Sequence, residues 1–182
     1  KSGELKLDTT NSENILYGKW EGSVQNEEIQ DICVCDFFNF NGSAYRISKN
    51  EFELTPNKKT QAGSVFTNEK LDFTKNFEIE FEVNLGYLDY KGADGVAIVF
   101  QNDPKGIYAA GYNGEDIGAG GIKNSLILEI DTYYNSYKDL TNEDHTSIWT
   151  NNNGYEKISK DIPFPNLEDG NWHNVKIKWK KI

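Results

Sequence analysis

The chain has 182 residues, with 29 acidic against 19 basic and a formal net charge of -10, enough for one well-packed domain and without a composition break that would divide it. That acidic balance, with no basic stripe, excludes a surface built to follow a phosphate backbone, so no nucleic-acid partner is expected. No apolar run approaches the roughly 18 residues needed to span a bilayer, which argues against direct membrane insertion. Ten Tyr, ten Phe and four Trp supply large apolar faces where aliphatics are sparse, and aromatics of this kind favour half-buried strands.

In chain order, residues 1–36 read as an N-terminal extension, either a linker or a source of extra strands; Ile15-Leu16-Tyr17 and Trp20 point to packing. The chain starts at Lys1, so a processed or excised segment is expected. Cys33 and Cys35 form an isolated Cys-Val-Cys. On a strand they would share a face at about 7 Å between Cα atoms, too far for easy mutual bridging. They are expected to be reduced and structural, or paired outside this segment, and leave the compartment open.

Short strands are expected at 64–66, 77–85, 96–100, 126–131, 146–149, 156–158 and 173–179. The clearest is Phe77, Ile79, Phe81, Val83 and Leu85 alternating with Glu78, Glu80, Glu82 and Asn84, the period of a half-buried strand. Val96 to Phe100 is apolar throughout, so it is placed mid-sandwich with both faces covered. Turn clusters such as Leu54-Thr55-Pro56-Asn57 and Asn151-Asn152-Asn153-Gly154 separate the strands, and helical periodicity is nowhere sustained. The fold class is therefore all-β, an antiparallel two-sheet sandwich. The glycine-rich stretch 111–121 allows close backbone approach to something. No Gly-Lys-Ser/Thr follows it, so it reads as a binding loop or a mobile one rather than a phosphate cradle.

Chemistry concentrates in 128–135. On a strand Glu129, Asp131, Tyr133 and Asn135 project to one face, about 7 Å apart. Two carboxylates in one row repel, and burial would demand a raised pKa or a cation. The following loop offers Asp139, Asp144 and His145. Oxygen ligands from Asp131, Asn135 and Asp139 suit calcium, whereas His145 with Glu129 and Asp131 suits a transition ion such as manganese. An ordinary solvated acidic face stands beside that reading, and the spacing does not fit an EF-hand. A retaining glycosidase would need a second carboxylate about 5 to 5.5 Å across the scissile bond. Tyr133 and Tyr134 stand where it should be, so binding is expected over catalysis.

Three motifs, Ala93-Asp94-Gly95-Val96-Ala97-Ile98-Val99-Phe100-Gln101-Asn102-Asp103, Gly120-Gly121-Ile122 and Glu129-Ile-Asp-Thr-Tyr-Tyr-Asn135, together resemble the signature of legume-type lectins, in particular their bacterial surface-adhesin branch. Residues 40–44, 54–56, 61–66 and 169–175 agree with it. The resemblance covers 37–182 as the lectin domain and implies a concanavalin-like jelly roll cut short before the family's last strands and the loop that selects the sugar. It implies that Asp94 hydrogen-bonds sugar hydroxyls after a cis Ala93–Asp94 peptide, and that an N–H near Gly120 or Gly121 donates to the same sugar. It also implies that Asn135 bridges calcium and sugar, that Tyr133 gives calcium its carbonyl and the sugar its ring, and that Asp131 and Asp139 complete the calcium set. Glu129 and His145, with Asp131 and Asp139, would hold manganese.

Two departures from the family pattern stand out. The loop from Asn135 to Asp139 is one residue shorter than in plant members, leaving Asp144 as a rival ligand, and Ser147-Ile148-Trp149 replaces a common Gly-Ile-Asp. The function implied is calcium-dependent binding of glycans or glycoproteins on a host or neighbouring cell surface by a secreted or surface-attached extracellular module. The alternatives are an interaction module of the same fold that has lost sugar binding, and a glycoside hydrolase.

Overall fold

The computed structural model describes residues 3–7 and 37–181; the readings of Ile15, Leu16, Tyr17, Trp20, Cys33 and Cys35 lie outside the described residues. The strands are β1 (Gly3–Leu7), β2 (Phe38–Gly42), β3 (Tyr45–Arg46), β4 (Phe52–Glu53), β5 (Gly63–Thr67), β6 (Phe77–Val83), β7 (Gly95–Gln101), β8 (Ser125–Asp131), β9 (His145–Asn151), β10 (Tyr155–Lys157), β11 (Ile162–Pro163) and β12 (His173–Lys181). Single 3-10 turns lie at Gly106–Tyr108 and Gly114–Asp116. One sheet runs β1-β12-β6 and the other β10-β9-β8-β7, with β11 on β9; β2-β5 and β3-β4 form two small ribbons. Each strand pair is antiparallel. Among the described residues no helix is long and apolar enough to cross a membrane.

The interior of the sandwich follows from period-2 alternation. Ile79, Phe81, Val83 and Leu85 pack with Val175 and Ile177 from β12 against Val96, Ile98, Phe100, Leu128 and Ile130 of the other sheet. The intervening glutamates of β6 face water, where Lys176 on β12 lies 2.6 Å from Glu78 and 3.1 Å from Glu80.

The second sheet carries an apolar cluster on each face. Behind the interior, Ile127, Trp149 and Ala119 form another cluster with Ala97, Val99 and Tyr155. β7, expected mid-sandwich with both faces covered, has alternate residues in a cluster on each face, which explains the unbroken apolar run. All seven of its residues are half-buried, and among the described residues it pairs with β8 alone. β8 is the more deeply buried strand, with β7 and β9 on its flanks.

The glycine-rich stretch is braced by its own backbone. Gly111 N–H donates to Gly118 C=O at 3.1 Å, Gly118 N–H to Tyr112 C=O at 2.8 Å, and Tyr112 N–H to Gly120 C=O at 2.8 Å. Ala119 anchors the loop in the outer cluster.

Candidate functional site

The antiparallel register assembles the site. Asp131 pairs with Gly95 and His145, Glu129 with Ala97 and Ser147, and Ile127 with Val99 and Trp149. Directly opposed residues share a face, so these side chains form one patch on the face opposite Leu128 and Ile130. Glu129, Asp131, His145 and Ser147 are each 1% exposed: the carboxylate row is as buried as the apolar core. Gly95 permits the close pairing at its edge, since a Cβ there would lie 2.1 Å from the Ile130 carbonyl oxygen.

The loop after β8 folds over this patch by using its own acids as caps. Asp131 Oδ1 accepts the Tyr133 N–H at 2.9 Å and Asp139 Oδ2 accepts the Asn135 N–H at 2.6 Å. The N–H groups of Lys138 and Asp139 return to the Asn135 carbonyl at 2.8 and 2.9 Å. This closes a tight turn that sets Asn135 and Asp139 beside Asp131.

The turn leaves four buried atoms without a hydrogen-bond partner: Asp131 Oδ2, Asn135 Oδ1, Asp139 Oδ1 and His145 Nε2. Asp131, Asp139 and His145 each offer a donor atom, all within 4.8 Å of one another. His145 Nδ1 lies 3.1 Å from the Glu143 carbonyl; with the proton there, Nε2 presents a lone pair to the cluster. Burial, supplemented by Glu129 and Asp139 and opposed by the Tyr133 N–H and Lys138, pushes the Asp131 carboxyl up to about 7. Buried acceptors facing one another without a donor are costly, and a cation between them removes the cost. The three oxygens fit a hard ion such as calcium.

Asp144 does not join the cluster, because its carboxylate accepts the Leu167 N–H at 2.6 Å. Glu129 lies beside the cluster but is already engaged. Its Oε1 accepts from Lys138 Nζ at 2.8 Å, and its Oε2 accepts from Ser147 Oγ at 2.8 Å and from Trp149 Nε1. Lys138 also donates to the Glu115 carbonyl at 2.6 Å and lies 3.7 Å from Asp131 Oδ2. Against burial, Glu129 above all holds the Lys138 ammonium above its ordinary pKa. Lys157 repeats the arrangement, 2.6 Å from Asp161 Oδ1 and 3.8 Å from Asp139 Oδ1. Both ammonium groups sit over Trp149, 4.9 and 5.2 Å from its ring centroid.

Asp94 borders the same region. The Ala93–Asp94 peptide is cis, and the Asp94 carbonyl accepts the Thr132 N–H at 3.1 Å. Burial raises the Asp94 carboxyl, with Lys138 opposing and Glu115 adding; among the described residues that carboxylate has no hydrogen-bond donor. Of the paired glycines, Gly120 spends its N–H on the Asp116 carbonyl at 3.0 Å, which leaves the Gly121 N–H as the donor without an acceptor among the described residues. Gly121 has φ 92 and lies against the Tyr112 ring, where a Cβ would come within 2.8 Å. The Tyr133 side chain is 46% exposed, open to a ligand.

Sequence reasoning missed Lys138, Lys157 and Asp161. A lysine beside a proposed ligand gives no periodic signal, and Asp161 follows from the β9–β11 pairing alone. The available clue was Ser147-Ile148-Trp149: both polar members of that departure bind Glu129.

The described chain is thus an antiparallel sandwich with a buried acid and histidine cluster on one outer face. The chain belongs to the family described as the legume lectin beta-barrel domain, whose model matches residues 29–182. It is also similar to the serine-rich adhesin for platelets of Staphylococcus aureus: 32% identical over 88 residues in strain MRSA252 and 33% over 88 residues in strain USA300, 47% of this chain in each case. The matched segment spans only 6% and 4% of those relatives. Family and likeness together support a carbohydrate-binding or adhesion module.

Proposed function

We propose that this chain is a calcium-dependent glycan-binding module of a cell-surface adhesin. The observation that carries the reading is the set of three buried oxygens without a hydrogen-bond partner, Asp131 Oδ2, Asn135 Oδ1 and Asp139 Oδ1, because a cation held among them would offset the cost of burying them. Asp131, Asn135, Asp139 and the Tyr133 carbonyl would hold calcium, which supplies the positive charge that fixes this loop. The chain's own groups then meet the sugar: Asp94 accepts from hydroxyls, the Gly121 N–H and the Asn135 amide donate, and the Tyr133 ring covers the apolar face of the pyranose.

Glu129 supports binding over cleavage. A nucleophile or general acid must face substrate, whereas this carboxylate is 1% exposed and held by three donors. The partners are glycans or glycoproteins on a host or neighbouring cell, and the site of action is extracellular, in keeping with the likeness to a staphylococcal adhesin. A glycan array probed with and without chelator tests the proposal. Binding is expected to vanish on chelation and in Asp94→Ala; retention in either sample sinks it, and no glycan bound under any condition favours a protein-interaction module instead.

A further inference from the structure

We infer that the ammonium groups of Lys138 and Lys157 stand in for a second divalent cation, so that the site takes one divalent ion rather than the calcium and manganese pair that the resemblance implies. The inference rests on the calcium reading for the ion that remains. Three observations carry it.

The first is occupancy of the ligand. A divalent ion on Glu129 would need to sit about 2.0–2.2 Å from a carboxylate oxygen. Lys138 Nζ already lies 2.8 Å from Oε1, and Oε2 accepts from Ser147 and Trp149. An ion and an ammonium group cannot share that oxygen, so the second set loses the one carboxylate it does not share with calcium.

The second is charge. Glu129, Asp131, Asp139 and Asp161 are four buried carboxylates in one connected cluster, and Lys138 and Lys157 are its two cations. Counted with each of these carboxylates and ammonium groups ionised, the cluster has two negative charges in excess. One divalent ion cancels them; a second would leave the buried cluster as positive as it began negative, at the desolvation cost that buried charge carries.

The third is that the lysines are built in. Their ammonium groups lie 4.9 and 5.2 Å from the centroid of Trp149, whose other neighbour Tyr155 stacks at 4.7 Å. Cation–π attraction favours a cation at this place, and the same indole holds Glu129. Lys157 Nζ lies 2.6 Å from Asp161 Oδ1, so the second ion pair is formed as well.

The test counts ions. Chelator-treated protein is saturated with calcium, challenged with manganese and desalted, and metal per chain is measured by emission spectrometry, with bound manganese followed by electron paramagnetic resonance. The wild type is expected to carry about one divalent ion in total. Lys138→Met keeps the stem on Trp149 and Lys138→Ala removes it; each is expected to rise to about two, the addition being manganese. A wild-type count of two overturns the inference whatever the variants do, including a failure to fold. An equal count in wild type and folded variants overturns it too. The calcium reading has its own readout: it survives at a common count of one or two and falls at a common count of zero.

Discussion

The buried charge beside the outer face of β8 has two halves, which meet the same desolvation problem differently. Around Glu129 and Asp161 every acid has a lysine, at 2.8 and 2.6 Å, so that half is complete without any ligand. Around Asp131 and Asp139 one oxygen of each carboxylate is spent on a backbone N–H, and the other has no hydrogen-bond partner, with Lys138 and Lys157 no nearer than 3.7 and 3.8 Å. The paired half should therefore set stability under all conditions, and the unpaired half should respond to what is dissolved around it.

The sharpest way to break this comparison is Glu129→Ala, which strands the Lys138 ammonium in a buried site. Removing one partner of such a pair costs about 3–5 kcal/mol, read as a lower urea midpoint at unchanged slope, and Lys138→Met on top of it should recover part of the loss. In the unpaired half the corresponding change is Asp139→Ala. Calcium at about 100 times its dissociation constant should stabilise the wild type by about 2.7 kcal/mol, and thermal unfolding of Asp139→Ala should show none of that gain. A small response in Glu129→Ala with a large one in calcium-free Asp139→Ala would reverse the assignment.

Glu168 sharpens the comparison because it is a buried acid whose Oε2 also lacks a partner, and it lies outside the metal cluster. Burial first, then Asp144 and Asp89, push its carboxyl from an ordinary 4.5 up to about 7. The folded value lies above the unfolded one, so the native state holds a proton that the unfolded chain releases, and the stability from this group is lost as pH rises from 4.5 through 7. Between pH 5 and 8 the wild type should lose on the order of 2 kcal/mol more than Glu168→Gln. Equal losses would mean that an ion, not a proton, relieves this acid. The smallest effect belongs to the solvent-facing ladder: Lys176→Gln, which breaks contacts to Glu78 and Glu80, should cost less than about 1 kcal/mol, with its effect shrinking further in high salt.

Much of the scaffold was legible because alternation reports a face. β6 and β8 were readable from sequence, and the row Glu129, Asp131 was placed correctly on one side of its strand. β3, β4 and β11 have two residues each, too few for any period to show, and β1 is defined by its pairing with β12. The run at Val96 reported contacts on both faces but not how many strands flank it. In the site, Asp131, Asp139 and His145 were readable as donors, and the three-dimensional packing alone distinguishes Asp139 from Asp144. Lys138 was invisible because its meaning depends on Glu129, Ser147 and Trp149, which come from two other strands. A single chain read linearly carries no signal for that coincidence.

Trp149 gives the site an optical consequence. It is 8% exposed, its Nε1 donates to Glu129 and Ser147, and two ammonium groups and a stacked tyrosine surround its ring. The emission of an indole depends on the field along its long axis, so on the calcium reading a divalent charge beside Asp131 and Asp139 would alter the colour and yield of Trp149, one of the chain's four tryptophans. The difference between titrations of the wild type and of Trp149→Phe would read the boundary between paired and unpaired charges without any label.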